Sequence, residues 1–140
     1  MKARVQWLDG RAFVGESGSG HAVVMDGAPE SGGRNIGIRP MEMLLLGLGG
    51  CSAFDVVMIL ERMREKVTAL DIGLEAERAE TDPKVFTHVK LIYKLRGDGL
   101  DPKKVERAIN LSADKYCSAS VIIGAHAKIE HTFEIEQEPA

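Results

Sequence analysis

Apolar residues recur along this chain with changing periods, and each period predicts a different element. Residues 2–7 alternate, with Ala3, Val5 and Trp7 on one side and Lys2, Arg4 and Gln6 on the other, the signature of a half-buried strand. Asp9-Gly10 is a hairpin-turn dipeptide leading into a second strand, Arg11 to Gly15, and GESGSG (15–20) turns the chain into a third, His21 to Met25. From Met43 to Leu60 the alternation vanishes. Asp55 is the only charge there, and Pro40 suits the first helical position, so the stretch predicts a central helix buried nearly all round. Past that point Ile59, Leu60, Met63 and Val67 form an apolar stripe, with Glu61, Arg62, Arg64, Glu65 and Lys66 facing water.

Period two returns in Leu70, Ile72, Leu74 and Ala76, and again in Val85, Val89, Leu91, Tyr93 and Leu95, on either side of a turn at Thr81-Asp82-Pro83. Asp101-Pro102 is an N-cap and N1 pair, and Val105, Ala108, Ile109, Ser112 and Tyr116 follow at helical spacing, predicting a second helix over about 102–116. A short apolar segment, Val121 to Gly124, precedes a last strand with Ala127, Ile129, His131, Phe133 and Ile135 on one face. The order βββ-α-ββ-α-β defines an α+β domain over residues 1–140 without internal repeats. Asp26 to Ile38 is its one loop-rich stretch, the kind that is often functional or mobile.

Charge and composition narrow the function. A net charge of −3, with basic residues scattered among carboxylates, provides no footprint for nucleic acid. The N-terminal MKARVQW lacks the apolar core of a secretory signal, which places the expected location in the cytoplasm. Met43–Leu60 reaches the lower length limit of a membrane span, but its glycines and Asp55 argue against one, because an intramembrane carboxylate is costly. Two cysteines make no disulfide framework and leave room for a reversible bridge.

Cys51 admits two readings. A cysteine in an apolar helix commonly serves as a small hydrophobe, and desolvation together with Asp55 four residues on would disfavour its thiolate. A reactive Cys51 needs positive charge from elsewhere, with Arg4, Arg11, Arg34 and Arg39 available, while Gly47, Gly49 and Gly50 provide either access or close packing. Cys117 falls at the end of the second predicted helix, where terminal carbonyls oppose a thiolate. The histidines have no zinc-motif spacing: His126 and His131 would lie on opposite strand faces, and His131 reads as a hydrogen-bonded core residue. No metal or other cofactor is expected, and no GxSxG, HExxH, CxxC or Walker pattern occurs.

RPMEMLLLGLGGCSAFDVV (39–57), with Pro40 followed eleven positions on by Cys51, and KYCSAS (115–120) resemble the OsmC/Ohr family of thiol-dependent peroxidases, and within it the YhfA-like branch. The resemblance implies an OsmC-like fold and an intertwined homodimer with its active sites at the subunit interface. It also implies reduction of small organic hydroperoxides by Cys51 as nucleophile and Cys117 as resolving thiol, restored by a dithiol reductant of lipoyl type. The family's peroxidases carry a glutamate directly after the helix-opening proline and an arginine before the first hairpin turn. This chain has Met41 and Leu8 at those positions, with Glu42 and Arg11 as the nearest substitutes. The alternative is a redox sensor, or a binder of small apolar ligands, on the same fold with little peroxidase activity.

Overall fold

The computed structural model describes residues 1–139. Its contacts gather into two compact units, Met1–Leu46 and Gly47–Ala140, whose boundary falls inside the long helix. The first unit holds the meander expected from the alternating N-terminus: β1 (Ala3–Asp9), β2 (Ala12–Ser17) and β3 (Ala22–Met25) form an antiparallel sheet in that order. Trp7 stands opposite Phe13, and Gly10, at φ +52°, makes the turn while its carbonyl accepts from Trp7 Nε1 at 3.1 Å. The strand is not half-buried as the alternation predicts, for Val5 and Trp7 are 63% and 64% exposed.

The loop after β3 is organised by a buried carboxylate. Asp26 accepts backbone N–H groups from Gly27 (2.7 Å), Arg34 (3.1 Å) and Ile36 (3.4 Å). Burial pushes this acid up, and the three amides more than offset that, so its pKa ends below the ordinary value. A β-carbon at Gly33 would fall 2.0 Å from the Gly27 carbonyl oxygen, which explains glycine there.

Helix α1 (Pro40–Arg62) begins with Pro40 at its first position, and Glu42 Oε1 accepts the Arg39 backbone N–H at 2.9 Å, half of a capping box. It ends in a Schellman turn: Arg64, at φ +63°, donates to Glu61 O while Glu65 N–H reaches Leu60 O. Arginine fills the place usually taken by glycine, so the stop left no sequence signal. Hence Val67 belongs to a strand rather than to the helical stripe. Glu65 does not face water as expected, because its side chain is 7% exposed beneath Lys104.

In the second unit β4 (Lys66–Arg78) pairs antiparallel with β5 (Phe86–Asp98), which pairs parallel with β6 (Lys128–Gln137). Leu74 opposes Leu91 and Ile72 opposes Tyr93, while Phe133 lies beside Tyr93 across the parallel pair. Val89, Leu91 and Tyr93 are fully buried and Leu95 nearly so. Each such side chain contributes roughly 1.5–3 kcal/mol by leaving water. Parallel pairing requires a crossover. It is made by α2 (Pro102–Leu111), a π turn (Ser112–Tyr116) and α3 (Ser118–Gly124). Asp101 caps α2 by accepting from Lys103 N–H at 2.9 Å, as its sequence predicts, and Val105, Ala108 and Ile109 form its buried stripe. The apolar segment 121–124 is the end of a short helix, and His126 precedes β6 rather than lying on it.

The part of α1 in this unit is not buried all round. Leu48, Gly49, Ser52, Asp55, Val56, Ile59 and Leu60 are buried, whereas Phe54 is 71% exposed. Leu74 leaves only 2.9 Å for a β-carbon at Gly49, so that glycine serves close packing, while Gly47 and Gly50 face open space. By length and composition α1 is apolar enough to cross a membrane. Its inner face is nonetheless that of a core helix, with Ser52 hydrogen-bonded to Tyr93 of β5 and Asp55 to Ser112 of the crossover.

Candidate functional site

The chemistry converges on the inner face of α1. Ser52 and Asp55 are one and four positions after Cys51, so a helix of 3.6 residues per turn sets Asp55 on the same side as Cys51 and Ser52 beside them. From the crossover comes Cys117, 66 positions later in sequence. One carboxylate oxygen of Asp55 and the two sulfurs, Cys51 Sγ and Cys117 Sγ, all lie within 4.8 Å of one another. Both cysteines are free thiols, Cys51 partly exposed and Cys117 1% exposed.

Cys117 is held from both sides. Its backbone N–H donates to Ser112 O at 2.8 Å, closing the π turn, and its sulfur caps α3 by accepting from Ser120 N–H at 3.4 Å. The helix end expected here is thus also a helix beginning, and the nearest amide favours a thiolate where terminal carbonyls were expected to oppose it. Burial outweighs this and pushes the Cys117 thiol up, with the adjoining Cys51 thiol acting in the same direction.

A file of hydroxyls runs behind the thiols. Ser112 Oγ donates to Asp55 Oδ2 at 3.1 Å, Ser112 Oγ and Ser52 Oγ are 3.5 Å apart, and Ser52 Oγ lies 2.6 Å from Tyr93 Oη. Burial pushes the Tyr93 phenol up to about 12, so it remains a proton donor at neutral pH. His131 packs its ring 5.9 Å from that of Tyr93, and burial lowers its pKa. Among the described residues its imidazole has no hydrogen-bond partner, contrary to the hydrogen-bonded core histidine expected. Three donors do not close a structural zinc site, which takes four.

Arg11 and Glu42 lie in the first unit and are engaged there. Arg11 is exposed, its guanidinium 3.5 Å from Gly10 O, while Glu42 caps α1 through the Arg39 backbone. The Arg39 guanidinium donates to Asn35 Oδ1 and Gly37 O, and Arg34 pairs with Asp9. Sequence reasoning placed Asp55 correctly but saw it only as an adverse charge. Ser52, Ser112 and Tyr93 were passed over, because small polar residues separated by up to 60 positions leave no local signal.

Two apolar surfaces adjoin the thiols. On the outside of α1, Gly50, Ala53, Phe54, Val57, Met58 and Glu61 line an open groove of about 580 Å³. Near Cys117 a smaller one of about 290 Å³ includes Tyr116, Val121 and Ile122.

The fold and site define a class: an α+β domain whose central helix and crossover bring together two distant thiols. The family model "OsmC-like protein" matches residues 32–132, and the chain belongs to that family. It is 44% identical to Protein YhfA of Escherichia coli K12 over 135 residues, 96% of this chain and 98% of that protein. A structure solved by structural genomics superposes with a TM-score of 0.90 at 40% identity, covering 99% of this chain and all of the other. An organic hydroperoxide resistance protein of Legionella pneumophila, also described as a redox protein, shares the fold at a TM-score of 0.71 and 16% identity, over 95% of each chain.

Proposed function

We propose that the chain is a cytoplasmic thiol peroxidase that reduces small organic hydroperoxides as a homodimer. The observation that carries this reading is the approach of Cys51 and Cys117 to within 4.8 Å, one thiol partly exposed and the other buried behind it. Cys51, the accessible sulfur, attacks the terminal peroxide oxygen; the O–O bond breaks, the alcohol leaves with a proton, and Cys51 becomes a sulfenic acid. Cys117 attacks that sulfur, giving a disulfide and water. A dithiol reductant, possessing two electrons and two protons, restores both thiols by exchange.

The exposed apolar face of α1 supports the dimer, for Phe54 at 71% exposure is the kind of aromatic that anchors an interface. Family membership and the hydroperoxide resistance protein sharing the fold support the substrate class. A second reading, redox sensing or binding of a small apolar ligand, draws on the same groove along Gly50–Glu61. Intact mass and free-thiol count after brief exposure to an organic hydroperoxide separate the peroxidase from the binder, with Cys51→Ser and Cys117→Ser run alongside, and turnover with a dithiol reductant separates it from the sensor. The peroxidase loses both thiols rapidly and shows a trappable sulfenic acid on Cys51 only when Cys117 is replaced. Thiols that stay reduced while a peroxidase control oxidises sink the enzyme and leave the binder.

A further inference from the structure

We infer that Asp55 is the proton acceptor for Cys117 when that thiol attacks the oxidised sulfur of Cys51. The inference rests on the dithiol cycle proposed above, but only on its second half, the attack of one cysteine on the other.

Asp55 is 9% exposed, and among the described residues no lysine, arginine or histidine nitrogen pairs with it. A buried carboxylate without a cation is costly, and asparagine or leucine would fill the same space without that cost. What it has instead is a hydroxyl from Ser112, the residue whose carbonyl also holds the Cys117 backbone. One residue therefore sets both the carboxylate and the thiol that faces it. The Ser112 hydroxyl lies closer to Asp55, at 3.1 Å, than to Ser52 Oγ, at 3.5 Å, and in the shorter contact it donates to the carboxylate. It thus meets Asp55 as a donor on one oxygen.

The chemistry needs such a group. A thiol attacks sulfur as its thiolate, and burial keeps Cys117 protonated at neutral pH. Its proton must move as the S–S bond forms. Asp55 has an oxygen within 4.8 Å of both sulfurs, a gap that one water or a small side-chain rotation closes. The proton passes from Cys117 to Asp55; the S–S bond forms while the S–O bond of the sulfenic acid breaks. The departing hydroxide takes the proton from Asp55 and leaves as water, so the carboxylate is regenerated. Ser120 N–H stabilises the sulfur as its charge develops. The titratable groups around Asp55 are Cys51 on α1, Cys117 after the π turn, Tyr93 on β5 through Ser52, and His131 on β6 behind Tyr93.

The test bypasses peroxide. Cys51, the partly exposed thiol, is loaded with one equivalent of an aromatic disulfide reagent, with Cys117→Ser confirming the position, and release of the coloured thiolate follows attack by Cys117. In the parent, release is expected to be flat with pH between about pH 6 and 8, because Asp55 rather than hydroxide from the solvent takes the Cys117 proton. Asp55→Asn, which retains a partner for Ser112, is expected to slow release roughly 10²-fold and to make it climb about tenfold per pH unit, as hydroxide takes over. Asp55→Glu is expected to restore a flat profile at reduced rate. Parent release that climbs with pH overturns the proposal without any variant, as does an Asp55→Asn rate unchanged or slowed equally at every pH. Loss of hydroperoxide reduction with release intact in the parent and dependent on Asp55 sinks the peroxidase reading and leaves this inference standing.

Discussion

Along the second half of α1, two faces of one helix are treated in opposite ways. The inner face carries Ser52 and Asp55 among Leu48, Val56, Ile59 and Leu60, and is buried. The outer face carries Ala53, Phe54, Val57 and Met58 and is open, with Phe54 71% exposed. This inverts the usual rule for an amphipathic helix, in which the more polar face meets water. Polar groups are inside because they bond one another and the sheet, and the apolar groups outside are those that the proposed dimer would cover.

That contrast is breakable, and the largest effect is expected inside. Leu60→Ala removes a fully buried side chain and should cost about 2–5 kcal/mol in a urea unfolding experiment. Phe54→Asp should leave the fold of the single chain intact while weakening self-association by roughly 2 kcal/mol or more, read by sedimentation across protein concentration. If Phe54→Asp unfolds the dilute protein as Leu60→Ala does, the two faces are not different in kind. Tyr93→Phe takes the phenol from the hydroxyl file and leaves Ser52 with one partner fewer, an expected loss of about 1 kcal/mol.

The smallest effects are acid-dependent and come in two windows. His131 has its pKa lowered by burial, so its contribution is complete above the unfolded value of 6.5 and is lost as pH falls below it. Glu65 is lowered by its bond to Lys104 and then by the Asp101 amide, so its share is present above 4.5 and disappears as pH falls further. Urea midpoints at about pH 7.5, 5.5 and 4 should show both steps, with Glu65→Gln erasing the second.

Much of this arrangement is legible in the sequence, and the illegible parts share a cause. Pro40, the Asp101-Pro102 pair and the alternation of residues 70–76 act through their immediate neighbours, so their elements are found where the pattern puts them. The end of α1 is hidden because Arg64 adopts a left-handed conformation without being glycine. The burial of Glu65 depends on Lys104, 39 positions away, and the role of Asp55 on Ser112, 57 away. Cys51 and Cys117 were recognisable as a pair from their flanking motifs, whereas the carboxylate between them was read as a hindrance because its partners come from another element.

The π turn between α2 and α3 makes the thiol pair a matter of phase. A π turn holds one residue more than an α-helical turn would, and the surplus in Ser112–Tyr116 is what allows the Ser112 carbonyl to reach the amide of Cys117. Removing one residue there would swing everything beyond it by about 100° around the helix axis, carrying the Cys117 sulfur off the meridian of Cys51. This crossover therefore tolerates exchange of side chains far better than it tolerates a change of length. Its five-residue turn is the vernier that brings two distant marks into line.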